Sequence, residues 1–224
     1  MSASDVARLI SSAAVSNSEI RRAAVHLPKP LREALFSEES PKHRSASGMF
    51  FEGLIYEILL AESETSPVIK QVAAKLNDAE YVPFDRFAKD GLWYSRNGEL
   101  QFRIHGRAAA EVDFLVLCAD DTLVFGEATL RPETSSELET EVAYKKELLK
   151  TFLDKENLPY AVQFVLAAPK KTDVTWLSEE DAYCFVDAGD ELWKRIHVNE
   201  VLHKKRSPAP SKKRVDGKVL FHNR

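Results

Sequence analysis

The hydrophobic patterning predicts an α/β fold, a mixed central sheet flanked by helices with an N-terminal helical extension. Three observations carry that expectation. Residues 111–130, EVDFLVLCADDTLVFGEATL, are two runs of β-branched and aromatic residues around an Asp-Asp turn, the pattern of an antiparallel hairpin. A helical periodicity follows over 135–156. Tyr160–Ala168 is then almost continuously apolar, as expected of a strand buried on both faces. A strand–helix–strand unit after a hairpin puts parallel and antiparallel pairs in one sheet, with helices on both faces.

The elements are read in order as follows. Residues 1–44 form the extension, with short helices over Ala3–Val15 and Leu31–Phe36 separated by Pro28 and Pro30. Ser45-Ala46-Ser47 is expected to cap a helix over Gly48–Glu62, and a second helix is expected over Ser66–Leu76. Residues 77–92 read as irregular. Leu100–Gly106 alternates, with Phe102 and Ile104 on one face and Gln101, Arg103 and His105 on the other. Glu111–Cys118 and Thr122–Leu130 are the hairpin strands, and Pro132 ends the second. Ala182–Val186 is expected as a short strand and Asp190–Lys205 as a helix. A Ser-Pro-Ala-Pro-Ser linker at 207–211 opens into a basic end. The domains expected are therefore the extension at 1–44, a core domain at 45–205 and a flexible basic tail at 206–224.

With 224 residues, 44% of them apolar, the chain can bury one sizeable core. No apolar run approaches the length that crosses a bilayer, and no membrane partner is expected. The first residues lack the basic and apolar regions of a secretion signal. Cys118 and Cys184 both fall in predicted strands, outside any zinc-like spacing. They read as buried reduced thiols of a cytoplasmic protein. The net charge of −4 hides an asymmetry. Residues 204–224 hold eight basic side chains against Asp216, a charge of +7, which leaves −11 on the rest. So acidic a body is not that of a tight, non-specific nucleic-acid binder, although the tail offsets it locally. Phosphate-binding loops, dinucleotide fingerprints, nucleophile elbows and HExxH zinc motifs do not occur.

The candidate chemistry lies in the hairpin, where each apolar run carries one acid, Asp113 or Glu127. A carboxylate in an apolar strand is costly unless something offsets its burial. A three-residue loop, Ala119-Asp120-Asp121, sets Cys118 opposite Thr122 and Asp113 opposite Glu127 on one face. A two-residue loop puts the acids on opposite faces. In the first register two like charges meet and a divalent cation relieves them; two carboxylates and several waters are a usual way to hold Mg²⁺.

A helix glutamate, then Glu-Val-Asp113, then Gly-Glu127-Ala-Thr129, then a helix and a strand resembles the PD-(D/E)XK nuclease superfamily, the restriction-endonuclease-like fold. Phe50-Phe51-Glu52-Gly53-Leu54-Ile55 resembles its first core helix, and the resemblance covers about residues 45–187. It implies a restriction-endonuclease-like core. It further implies hydrolysis of phosphodiester bonds in nucleic acid, with DNA as the expected partner. Mg²⁺ or Mn²⁺ would be held by Glu52, Asp113 and Glu127, and a lysine would orient or activate the attacking water. A homodimer is compatible with such an activity, since nucleases that cut both strands often pair.

The chain departs from that pattern at Thr129, which stands where the family has its lysine. A hydroxyl supplies no positive charge. The next helix offers a replacement. Leu138, Val142, Leu149 and Phe152 make its apolar stripe, and Lys145 falls in the middle of it, with Lys146 about a quarter-turn round. Counting along strand, turn and helix returns Lys145 to about the level of Glu127. The expected catalytic set is therefore Glu52, Asp113, Glu127 and Lys145. Glu52 lies at the margin of the buried side of its helix, Glu57 on the far, solvated face, and Glu62 at the helix end. Arg103, His105 and Arg131 are weaker candidates for phosphate contacts, and Trp93-Tyr94 for base stacking. The alternative is a catalytically degenerate member of the same fold that binds nucleic acid or protein.

Overall fold

The computed structural model describes residues 2–74, 91–94, 100–132 and 135–204. In chain order its helices and strands are α1 (Ala3–Ser12), α2 (Asn17–His26), α3 (Lys29–Leu35), α4 (His43–Thr65), β1 (Ile69–Ala74), β2 (Gly91–Tyr94), β3 (Leu100–Ile104), β4 (Arg107–Val112), β5 (Phe114–Cys118), β6 (Thr122–Ala128), α5 (Ser135–Lys155), β7 (Ala161–Ala167) and β8 (Ala182–Cys184). The central sheet has the order β1-β5-β6-β7-β8. β1, β5 and β6 pair antiparallel, whereas β6, β7 and β8 are parallel. The expected mixed sheet with helices on both faces is present.

Strand alternation sorts the side chains into two layers. Phe114, Val116, Val124, Ala128, Val165 and Ala167 share a buried cluster with α1, α2 and α4. Leu115, Leu123, Phe125, Phe164 and Leu166 share another with Leu138, Val142, Leu149 and Leu153 of α5. A helix therefore covers each face, and β7, at the centre of the parallel part, is apolar on both sides as its sequence implied.

The N-terminal residues are helical but do not stand apart. Val6, Ile10, Ile20, Leu27 and Leu35 are fully buried in the cluster that α4 shares with the sheet. The Ala3 N–H donates to Gln163 Oε1 on β7 at 2.6 Å, which ties the start of α1 to the sheet. Packing thus runs through the boundary placed at residue 44. α2 is an additional helix. Its start is a capping box in which the Ser16 N–H donates to Glu19 Oε2 at 2.6 Å, and Ile20, Ala23 and Ala24 form its buried stripe.

Three local expectations fail for identifiable reasons. α4 begins at His43, two residues before the expected cap, so Ser45-Ala46-Ser47 lies within its first turns. The helix expected over 66–76 is instead the strand β1. Pairing with β5 along Ile69↔Cys118 and Val72↔Val116 covers an edge of the sheet and overrides the helix propensity of Ala73 and Ala74. The helix expected over 190–205 is two short 3₁₀ turns, Leu192–Arg195 and Val198–Glu200. Leu192, Trp193, Ile196 and Val201 are buried there without the spacing of one helical face. The irregular stretch expected at 77–92 lies outside the described residues over 77–90, and the tail and linker lie outside them entirely.

The run expected as one strand over 111–118 is divided. β4 belongs to a three-stranded antiparallel sheet, β2-β3-β4, and β5 to the central sheet. Asp113 stands alone between them. Neither cysteine is in a disulfide; both are buried, and burial pushes the Cys118 thiol up to about 11. No helix among the described residues is long and apolar enough to cross a membrane.

Candidate functional site

The hairpin register decides whether the two acids can meet. Phe114 pairs with Gly126, Leu115 with Phe125, Val116 with Val124 and Leu117 with Leu123. This is the three-residue-loop register, which brings Asp113 level with Glu127. The turn is fixed by Asp121 in the left-handed region at φ 64° and by Asp120 Oδ1, which accepts from the Thr122 N–H at 3.3 Å. Asp113 is held against β6 from two sides. Its N–H donates to the Gly126 carbonyl at 3.1 Å, and its Oδ2 accepts from the Ala128 N–H at 2.9 Å. The carboxylate is thereby anchored to the backbone just past Glu127.

On β6 the side chains of Leu123 and Phe125 point towards α5, and alternation sends Glu127 the same way. Lys145 comes down from α5 to meet it. Its Nζ donates to Glu127 Oε1 at 2.7 Å and lies 2.6 Å from Glu141 Oε1, one helical turn earlier. The Lys145 side chain is only 4% exposed, Glu127 18% and Glu141 45%. A lysine so deeply buried stays charged only if paired, and both partners are carboxylates.

Burial, and then the Asp113 charge, push the Glu127 carboxyl well above the usual carboxylate range; Lys145 pulls it down without cancelling them. For Lys145, burial acts to lower the pKa, but Glu127 and Glu141 outweigh it and hold the ammonium above the ordinary lysine value. One cation thus meets Glu127 and Glu141, with Asp113 beside Glu127, and the cluster carries an excess of negative charge when all three carboxylates are ionised.

Asp113, Glu127 and Lys145 come together, and Glu52 stands on α4. Glu52 is half-buried. Among the described residues no group of three His, Cys, Asp or Glu side chains is spaced to hold one metal ion, so the three-ligand set is not assembled. The pair Asp113 and Glu127 still suits a hydrated Mg²⁺ or Mn²⁺. Both donors are hard carboxylate oxygens, and such ions commonly take one or two carboxylates and keep their waters.

Thr129 is occupied locally. Its Oγ1 accepts from the Arg131 N–H at 3.1 Å and so shapes the turn after β6. Arg131 and His105 are exposed, and Arg103 donates to Gln101 Oε1 at 3.0 Å. Trp93 and Tyr94 lie in β2, but their side chains are outside the described residues. Lys146, beside Lys145, pairs with Asp181, whose Oδ1 also accepts from the Phe164 N–H at 2.9 Å.

Glu57 corrects the expectation of a solvated face. α2 packs on that side of α4, and the Glu57 carboxylate, 3% exposed, is bonded by Arg22 Nε at 2.5 Å and His26 Nε2 at 2.6 Å. Glu141 is the site residue that the sequence reading passed over. Its signal was present in the Glu-x-x-x-Lys spacing to Lys145, which sets the two on one helix face. Comparison of the chain with protein-family models, with curated proteins and with solved structures finds no match.

Proposed function

We propose that this chain is a divalent-cation-dependent nuclease of the restriction-endonuclease-like, PD-(D/E)XK kind, acting on DNA. The observation that carries the reading is the Lys145 ammonium, 2.7 Å from Glu127 Oε1 in a site that Asp113 shares. Asp113 and Glu127 would hold Mg²⁺ or Mn²⁺. Such an ion supplies a more acidic water and offsets charge gathering on the phosphate. Lys145 takes the role that Thr129 cannot. It has three N–H donors. Two are directed at Glu127 and Glu141, and the third is the donor with which it orients a water or a non-bridging phosphate oxygen. The β6–α5 connection delivers the lysine from the helix instead of the strand, to the same carboxylate.

A second reading is a degenerate, non-cleaving member of that fold which binds nucleic acid or protein. Two observations favour it: the charge of −11 on residues 1–203, and the absence among the described residues of a three-ligand group. Incubation of single- and double-stranded DNA with the chain and Mn²⁺ separates the two. The nuclease reading expects cleavage that disappears in Asp113→Ala. Cleavage that persists in Asp113→Ala overturns the metal-site assignment, and the absence of both cleavage and Mn²⁺ uptake favours the non-cleaving reading.

A further inference from the structure

The two acceptors of Lys145 belong to different elements. Glu127 is on β6, whereas Glu141 is on α5 itself, so its 2.6 Å contact with Lys145 depends only on the helix. Their surroundings differ as well. Glu127 lies beneath α5 beside Asp113, and Glu141 is nearly half exposed at the rim.

A cation held by Glu127 competes with Lys145 for the same carboxylate. An ammonium 4% exposed cannot lose its acceptor without a large penalty, because water does not reach it freely. With Glu127 as its sole partner, Lys145 would therefore oppose cation binding. Glu141 removes that conflict, since a carboxylate one turn back stays in reach of Lys145 whatever Glu127 binds.

We propose that Glu141 is a positioning residue that takes over the Lys145 ammonium when Glu127 engages a divalent cation, so that cation and lysine occupy the site together. This rests on the reading of Asp113 and Glu127 as the cation site. Glu141 touches neither the cation nor the phosphate in this arrangement; it acts through Lys145.

The test is a double-substitution cycle read as Mn²⁺ affinity by calorimetry, on the full chain without nucleic acid. Glu141→Gln should weaken Mn²⁺ binding by about tenfold or more, the cost of stranding a buried charged donor. In a Lys145→Met background, where no ammonium remains to strand, the same substitution should change the affinity by less than about threefold. Equal weakening in both backgrounds would make Glu141 a ligand or a distant charge, and no weakening in either would make it a bystander; each overturns the proposal. A wild-type chain that takes up no Mn²⁺ overturns the cation site itself, and the proposal with it. Lys145→Gln supplies a second background if Lys145→Met does not fold, as judged by thermal unfolding.

Discussion

Lys145 Nζ lies 2.7 Å from Glu127 Oε1 across 18 residues of sequence, joining the middle of α5 to the end of β6. The contact places a positive charge on the one strand carboxylate that burial and Asp113 both disfavour as an anion. Removing either partner should therefore have opposite consequences for stability, and the sign is a test of the arrangement.

Lys145→Ala leaves Glu127 and Asp113 facing each other without a counter-charge. Loss of one member of a buried pair costs on the order of 3 kcal/mol, somewhat less where a partner is partly exposed. Thermal unfolding in chelator at neutral pH should show that loss, with Lys145→Met less affected because it preserves the packing of the stem. Equal stability of Lys145→Ala and wild type would contradict the pairing.

Glu127→Gln should instead stabilise the metal-free chain near neutral pH. The carboxyl has a folded pKa raised above the ordinary 4.5, so the folded state binds more protons than the unfolded one. Its contribution is fully present below the ordinary value and is lost as pH rises through the folded pKa. The amide escapes that loss. The stability difference between variant and wild type should then grow from about pH 4.5 upward and be absent below it. A difference independent of pH would show that Glu127 is not raised.

Gly126→Ala tests the seat of the hairpin. A Cβ there would stand 1.9 Å from Phe114 Cζ, inside a fully buried ring. The ring would have to move next to Asp113, at a cost of about 1–3 kcal/mol. Denaturant unfolding should detect it, and a change below about 0.5 kcal/mol, as at an ordinary surface position, would contradict the packing.

Asp181→Ala should destabilise independently of any activity. Asp181 accepts from the Phe164 N–H, from Lys146 and from Ser178 Oγ at 2.6 Å. Its loss leaves the N–H of the buried Phe164 unsatisfied, about 1–3 kcal/mol by chemical denaturation. Unchanged stability would show that water replaces it.

These residues also mark what could be read from sequence. Two hairpin registers were open in the sequence, and the structure takes the one with the loop Ala119–Asp121; β5 and β6 are buried on both faces, so the apolar pattern alone did not choose between them. Lys145 was legible because a lysine in the centre of an apolar stripe demands a partner. By contrast, β1 and the burial of Glu57 depend on neighbours far away in sequence, β5 for one and α2 for the other. Neither the helix-forming Ala73-Ala74 nor the apparently outward Glu57 carries a local sign of them. Glu52 was placed with the acids by its position at the margin of its helix and by resemblance, and among the described residues no three-ligand group with it is formed.

The most direct test of Lys145 as the replacement for the missing strand lysine is the rate of Mn²⁺-dependent DNA cleavage by Lys145→Met, at Mn²⁺ concentrations that saturate both proteins. Positioned proton donors and acceptors contribute about 10²–10⁴-fold. The rate should fall by at least about a hundredfold with Mn²⁺ binding retained. Cleavage by the variant at the wild-type rate would contradict the role assigned to Lys145.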